Sequence, residues 1–173
     1  HSYSWWKNCK EGGNMNIKIT VSESAEENGR RAAKKIAELI RAAIESKGRA
    51  RIVVSTGSSQ FEMFSALIKE EIDWTRVIMF HLDEYVGLPE SHIASFRKYL
   101  KERFVSLVPI KEAHFVNGEG DIDKNIKELT IELRKEPIDV GIIGIGENGH
   151  IAFNDPPADF TTDEAYKVVV PDT

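Results

Sequence analysis

Apolar residues recur along this chain in two periods, and the switching between them predicts alternating strands and helices. Residues 16–21, NIKITV, alternate apolar and polar side chains and predict a first strand at a sheet edge. Ser24 then stands three positions before Glu27, the spacing of a capping box. Ala32, Ile36, Leu39, Ile40, Ala43 and Ile44 make one apolar stripe, so a helix runs to about Ser46 and stops at Gly48. Residues 51–56, RIVVST, predict a second strand, followed by a helix with Phe61, Phe64, Leu67 and Ile68 on one side. Residues 76–82, RVIMFHL, predict a third strand, and 91–104 a helix that turns Phe96, Tyr99, Leu100 and Phe104 inward. Residues 113–116 suit a short strand, and 121–135 a helix carrying Ile122, Ile126, Leu129 and Leu133. The densest run is Ile138, Val140, Ile142, Ile143 and Ile145. Apolar at nearly every position, it predicts a central strand buried on both faces. A last strand is predicted over 166–170. The whole is an α/β pattern: a doubly wound, mostly parallel sheet flanked by helices, Rossmann-like in architecture.

Composition narrows the function classes. The 173 residues suffice for one domain with its own core. A net charge of -5 argues against a nucleic-acid partner, which needs a basic face. Cys9 is the only cysteine, so no intrachain disulfide is available. No apolar run reaches the length of a membrane span, and the opening HSYSWWKNCKEGGN lacks the apolar centre of a signal peptide. The expectation is a cytoplasmic protein that engages no membrane. Residues 1–14, with Trp5 and Trp6, read as an extension before a domain over 15–173, and Met15 as an alternative start.

Three of the predicted strands end in loops with chemical content. The strand at 51–56 runs into Ser55, Thr56, Gly57, Ser58 and Ser59 before a helix, an arrangement of backbone N–H groups and hydroxyls suited to an anion. No G-K-[ST] follows, so it is not a Walker loop. The strand at 76–82 ends in Asp83 and Glu84, which alternation turns to different faces. One is expected to look into a cleft as a proton acceptor while the other holds the loop. His81 reads as a packed strand residue, and His92 and Ser95 lie at a helix start where they could face the same cleft. The strand from Ile138 ends in Gly144, Gly146, Glu147, Asn148, Gly149 and His150, with Asn154 and Asp155 beyond. Gly144 to Gly149 spells G-x-G-x-x-G, but Pro156 and Pro157 bar the long helix a dinucleotide site needs, so no nicotinamide or flavin site is assigned. His150 with Asp155 gives only two candidate ligands and no metal site. Right-handed crossovers bring the carboxyl ends of parallel strands to one edge, so all three loops should face one cleft. That inventory suits proton transfer on a small phosphorylated sugar.

These residues resemble a known family. LDEYVGLP at 82–89 followed by His92, Ser95 and Phe96, GIGENGHIAFNDP at 144–156, and STGSS at 55–59 are similar to the signatures and phosphate loop of the glucosamine-6-phosphate deaminases, in the same order. The related 6-phosphogluconolactonases share the fold and a G-x-G-x-D-G-H loop, but lack the D-E-Y-V-G-L stretch. The resemblance implies catalytic roles for Asp83, His150, Glu147, Asp155 and Asn148. It implies substrate binding by Ser55, Thr56, Gly57, Ser58, Ser59, Glu84, Gly146, Gly149 and Asn154. His150 would open the sugar ring at its oxygen, and Asp83 would move the C2 proton to C1. Water would then release ammonia and leave fructose 6-phosphate. No cofactor or metal is implied, the partner is a sugar phosphate, and a homo-oligomer is compatible.

Two residues depart from the family pattern. Asn148 stands where the family has Asp, with Glu147 one place earlier, and Asp155 stands where it has Glu. Asn148 can orient the imidazole but cannot balance an imidazolium as a carboxylate would. The resemblance also implies a family domain that continues past Thr173 with further phosphate-gripping residues. Two alternatives stand beside the deaminase: a sugar-phosphate lactonase in which His150 activates water, and a sugar-phosphate binding protein without turnover.

Overall fold

The computed structural model describes residues 17–154, 159 and 161–170; the predicted extension over 1–14 and Asp155 lie outside them. Helix α1, Ala25–Lys47, opens where Ser24 accepts from the backbone of Glu27 and closes at Gly48 in the left-handed region. Strand β1, Ala50–Val54, leads through a single 3-10 turn, Ser58–Gln60, into the short helix α2, Phe61–Leu67. Then follow β2, Val77–His81; α3, Phe96–Arg103; β3, Glu112–His114; α4, Ile122–Arg134; and β4, Val140–Ile142. The four strands form one parallel sheet in the order β3-β2-β1-β4. This is the predicted α/β architecture.

Alternation along the strands sorts the two faces. Ala50, Ile52 and Val54 of β1, Val77 and Met79 of β2, and Val140 and Ile142 of β4 enter one core. Against them pack Ala33, Ile36, Ala37 and Ile40 of α1, Phe64 and Leu67 of α2, and Leu100 and Phe104 at the end of α3. Arg51 points the other way and is nonetheless only 4% exposed. Its guanidinium donates to the carbonyls of Glu132, Leu133 and Glu136 at the carboxyl end of α4 and lies over the Phe80 ring. A cation at that helix end meets the negative pole of the dipole, which fastens α4 to the second face.

The strand register fixes the functional edge. Val54 pairs with both His81 and Ile142, so β1, β2 and β4 end level with one another. The amide of Ser55 donates to Ile142 and that of Leu82 to Val54, carrying the ladder one step further.

Four expected elements differ. The predicted first strand is not formed over residues 17–21, where Ile17, Ile19 and Val21 are 76%, 82% and 84% exposed. Alternation alone does not make a strand; a ladder partner must be present, and none of the described residues supplies one. The same holds for 166–170, which runs without a ladder. The run from Ile138 forms only Val140–Ile142 and sits at a sheet edge among the described residues, leaving Ile143 and Ile145 exposed. The helix predicted from residue 91 begins at Phe96, with Ser95 as its cap.

Gly29 marks the tightest contact between helices. A Cβ there would stand 2.6 Å from both the carbonyl carbon and Cβ of Glu62 and 2.8 Å from the Met63 nitrogen. Gly to Ala inside a helix ordinarily stabilises. Here overpacking against backbone reverses the sign, and G29A is expected to lose about 2 kcal/mol in urea unfolding.

Candidate active site

Glu84 assembles the loop after β2. Its side chain is fully buried. It accepts from the backbone of Tyr85 at 2.9 Å, Phe96 at 3.2 Å and Arg97 at 2.9 Å, and from the Ser95 hydroxyl at 3.0 Å. The Arg97 Nε adds a charged donor at 3.4 Å. Burial alone would raise the Glu84 pKa, but the donors at Arg97, Tyr85, Phe96 and Ser95 outweigh it and hold it below the usual value. This carboxylate also explains why α3 starts late: it takes the amides of Phe96 and Arg97 that a longer helix would use internally. Arg97 continues the network to Glu119 at 2.8 Å, to Asn117 at 2.8 Å and to the Leu88 carbonyl at 3.0 Å. Glu84, expected to bind substrate, has its oxygens committed to protein donors and anchors the loop.

Asp83, one residue earlier, is half-buried. Its carboxyl is raised to about 6, first by burial, then by the neighbouring Glu84 charge, with His150 acting in the opposite sense. His81, one strand position before Leu82, is fully buried and packs edge-on to Phe115 at 6.0 Å. Burial drops its pKa to about 4, so it is neutral, and its ring nitrogens have no hydrogen-bond partner among the described residues. His92 does not turn to the cleft; its Nδ1 accepts from Ala94 in a local turn.

The loop after β4 carries His150. Gly149, at φ +86, turns the chain, its amide donating to Gly146, while the Gly146 amide donates to the His150 carbonyl. The imidazole lies on Gly146, where a Cβ would come within 2.3–2.8 Å of the ring atoms. Asn148 Oδ1 accepts from the His150 amide at 3.2 Å and meets His150 Nδ1. A carbonyl oxygen can only accept, so Nδ1 of His150 is the donor in this contact. Glu147 is exposed.

The loop after β1 is tied to the other two. Ser55 is buried, and its Oγ accepts from the Gly144 amide at 2.8 Å and from Gln60 at 3.3 Å. Thr56 is half-buried, and Gly57, Ser58 and Ser59 are exposed at the turn. Tyr99 donates to the Gly57 carbonyl at 3.2 Å. Beyond His150, Ala152 adopts φ 55 and delivers Phe153 to a cluster with Tyr85 at 4.9 Å and Phe96 at 5.9 Å. Asn154, just past this cluster, lines a cavity of about 260 Å³ together with Asp83, Glu84 and Tyr166.

Asp83, His150, Asn148, Gly146, Gly149 and the Gly57–Ser59 turn therefore share one edge of the sheet, as expected. Ser55 and Glu84 hold that edge together from beneath. The clamp of Tyr85, Phe96 and Phe153, and the part of Arg97, were not foreseen. Phe153 lies inside the signature loop and could have been suspected from an aromatic flanked by glycine and proline turns. Arg97 has no local signal, because its partners come from two separate loops. Among the described residues no group of three or more His, Cys, Asp or Glu is gathered to hold a metal ion, and no helix is long and apolar enough to cross a membrane.

The chain is similar to known proteins. The family described as glucosamine-6-phosphate isomerases/6-phosphogluconolactonase matches residues 23–172. A glucosamine-6-phosphate deaminase of Pediococcus pentosaceus is 34% identical over 149 residues, covering 84% of this chain and 61% of the relative. One from Bacillus cereus is 33% identical over 126 residues, 72% of this chain and 48% of the relative. The chain thus spans about half to three fifths of the length of these curated relatives. Among solved structures, a monomeric glucosamine-6-phosphate deaminase superposes with a TM-score of 0.74 at 26% identity, covering 84% of this chain and 62% of that one. A 6-phosphogluconolactonase from Shewanella baltica gives 0.66 at 26% identity, covering 78% and 60%.

The buried network makes a stability prediction. E84Q leaves Arg97 buried beside a neutral partner and is expected to cost about 3 kcal/mol at pH 7. The folded Glu84 pKa is lowered, so its contribution is present above the unfolded carboxylate value and lost as pH falls through the folded one. Urea unfolding at neutral and acid pH should therefore show the gap between wild type and E84Q closing in acid.

Proposed function

This chain belongs to the glucosamine-6-phosphate isomerase/6-phosphogluconolactonase family, and on that premise we propose that it carries the catalytic edge of an amino-sugar phosphate deaminase. The observation that supports this reading best is the half-buried Asp83, raised to about 6 and electrostatically coupled to His150 across level strand ends. A carboxylate that desolvation has made more basic is suited to accept a proton near neutrality.

In the proposed reaction, glucosamine 6-phosphate binds with its phosphate at the Gly57–Ser59 turn and its hydroxyls toward Asn154. Nε2 of His150 takes the proton of the C1 hydroxyl and passes it to the ring oxygen as the bond from C1 to that oxygen breaks, opening the sugar to its C1 aldehyde. Asp83 takes the proton from C2 as the C2–H electrons form a C1=C2 double bond and the C1 carbonyl oxygen gains a proton. The carboxyl then returns its proton to C1 as the nitrogen lone pair forms C2=N and the nitrogen gives up a proton. The ketose imine at C2 then adds water and loses ammonia, giving fructose 6-phosphate. Asn148 fixes the tautomer that leaves a lone pair on Nε2. Either Glu147 or Asp155 is proposed to supply the negative charge that Asn148 does not. A cytoplasmic setting and a sugar-phosphate partner go with this reading.

The same tautomer favours a second reading. A neutral His150 with its lone pair on Nε2 could activate water against a lactone, as fits the likeness to the Shewanella 6-phosphogluconolactonase. Asp83 separates the two, since lactone hydrolysis removes no C2 proton.

The decisive assay couples release of ammonia and fructose 6-phosphate from glucosamine 6-phosphate, using the full-length protein beside D83N. D83N is expected to lose roughly 10³-fold in kcat/KM, and the wild-type rate to climb with pH through about 6 as Asp83 ionises. Lactonase activity that survives in D83N, without deamination in the wild type, would move the assignment to the second reading. Binding without turnover of either substrate would leave a sugar-phosphate binding protein.

The same raised pKa has a cost. A carboxyl whose folded value lies above its unfolded one withdraws stability as pH rises between the two. D83N should thus gain up to about 2 kcal/mol at pH 7 and nothing near pH 3, measured by urea unfolding.

A further inference from the structure

We propose that Tyr166 is the positioning residue for Asp83, its ring forming the wall that keeps water from the carboxyl and its hydroxyl pinning that wall to the end of β2. The inference rests on the reading of Asp83 as the proton-transfer base, and adds a residue on which that base depends. Tyr166 arrives from a segment that joins no ladder of the sheet. Yet its hydroxyl donates to the His81 carbonyl at 2.9 Å, across 85 residues of sequence. His81 ends β2, two positions before Asp83. Tyr166 and Asp83 line the same cavity, together with Val116, Ile122 and Ile126.

The charges around Asp83 support this role. Glu84 flanks it on its own loop and His150 faces it from the loop after β4. Arg97 is committed to Glu84 and Glu119. Around the cavity, Asp159 is paired with Lys167 at 2.9 Å, and Glu164 lies on the rim. The phenol itself stays neutral, because burial and the Asp83 charge both push its pKa up. A neutral ring removes water without contributing a countercharge, and so favours the protonated carboxyl. The hydroxyl meanwhile spends its proton on a backbone acceptor, which fixes the ring in place.

The test follows Asp83 itself. Full-length protein labelled with carboxyl-¹³C aspartate is titrated by NMR, the Asp83 resonance being the one missing in D83N. Wild type should show a midpoint near 6. Y166A, which opens the wall, should lower it by about one unit, and Y166F, which loses only the pin, by about half a unit. The acid limb of kcat/KM should move with each midpoint while KM changes little, which a general loss of structure would not produce. An unmoved midpoint in both variants overturns the proposal. Where Y166A does not fold, Y166F decides alone: a lowered midpoint supports the pin and an unmoved one refutes it. Shifted midpoints without sugar-phosphate turnover in the wild type would keep the wall and reject the deaminase reading.

Discussion

A single buried carboxylate sets the geometry of this site. Glu84 gathers three backbone amides, a hydroxyl and a guanidinium from two segments that otherwise have no reason to meet. An ion withdrawn from water must be matched donor by donor or it destabilises the fold. That requirement fixes where α3 starts and how the chain leaves β2. The adjacent pair is a division of labour: Glu84 is held charged by its donors, while Asp83, with few of them, is held closer to neutrality.

The other two loops are arranged around that fixed point by weaker ties. Ser55 couples the turn after β1 to the glycine-rich turn after β4 through one hydroxyl. The Tyr85, Phe96 and Phe153 rings draw the far end of the His150 loop onto the Glu84 segment. Gly146 leaves room for the imidazole, and the positive φ at Ala152 turns Phe153 inward. Each tie crosses between strands that the register has already made level, so short side chains suffice to close the distances.

Much of this could be read from the chain in advance. The helical stripe of α1 and its Ser24 and Gly48 ends follow local rules that need no tertiary knowledge, and they hold. The shared edge followed from crossover handedness. What escaped was whatever depends on distant partners. Ile17, Ile19 and Val21 alternate as an edge strand should, but pairing is a property of two segments and not of one. Residues 91–95 carry nothing that forbids a helix; a carboxylate seven or more positions upstream takes the amides that follow them. Arg97 carries no local sign of its role, and is the buried counter-ion of the loop.

The partner chosen for His150 also places a clock in the loop. Asn148 is followed by Gly149, and an asparagine before glycine is slowly converted when the following backbone nitrogen closes on the side-chain amide and expels ammonia. Water then opens the cyclic imide to an aspartate or to its β-linked isomer, which lengthens the backbone by one carbon. The Gly149 amide is held to Gly146 at 3.0 Å, which works against that closure. The hydrogen bond that shapes the turn therefore doubles as protection against chemical ageing, and preparations of different age can differ in charge beside the imidazole without any change in gene sequence.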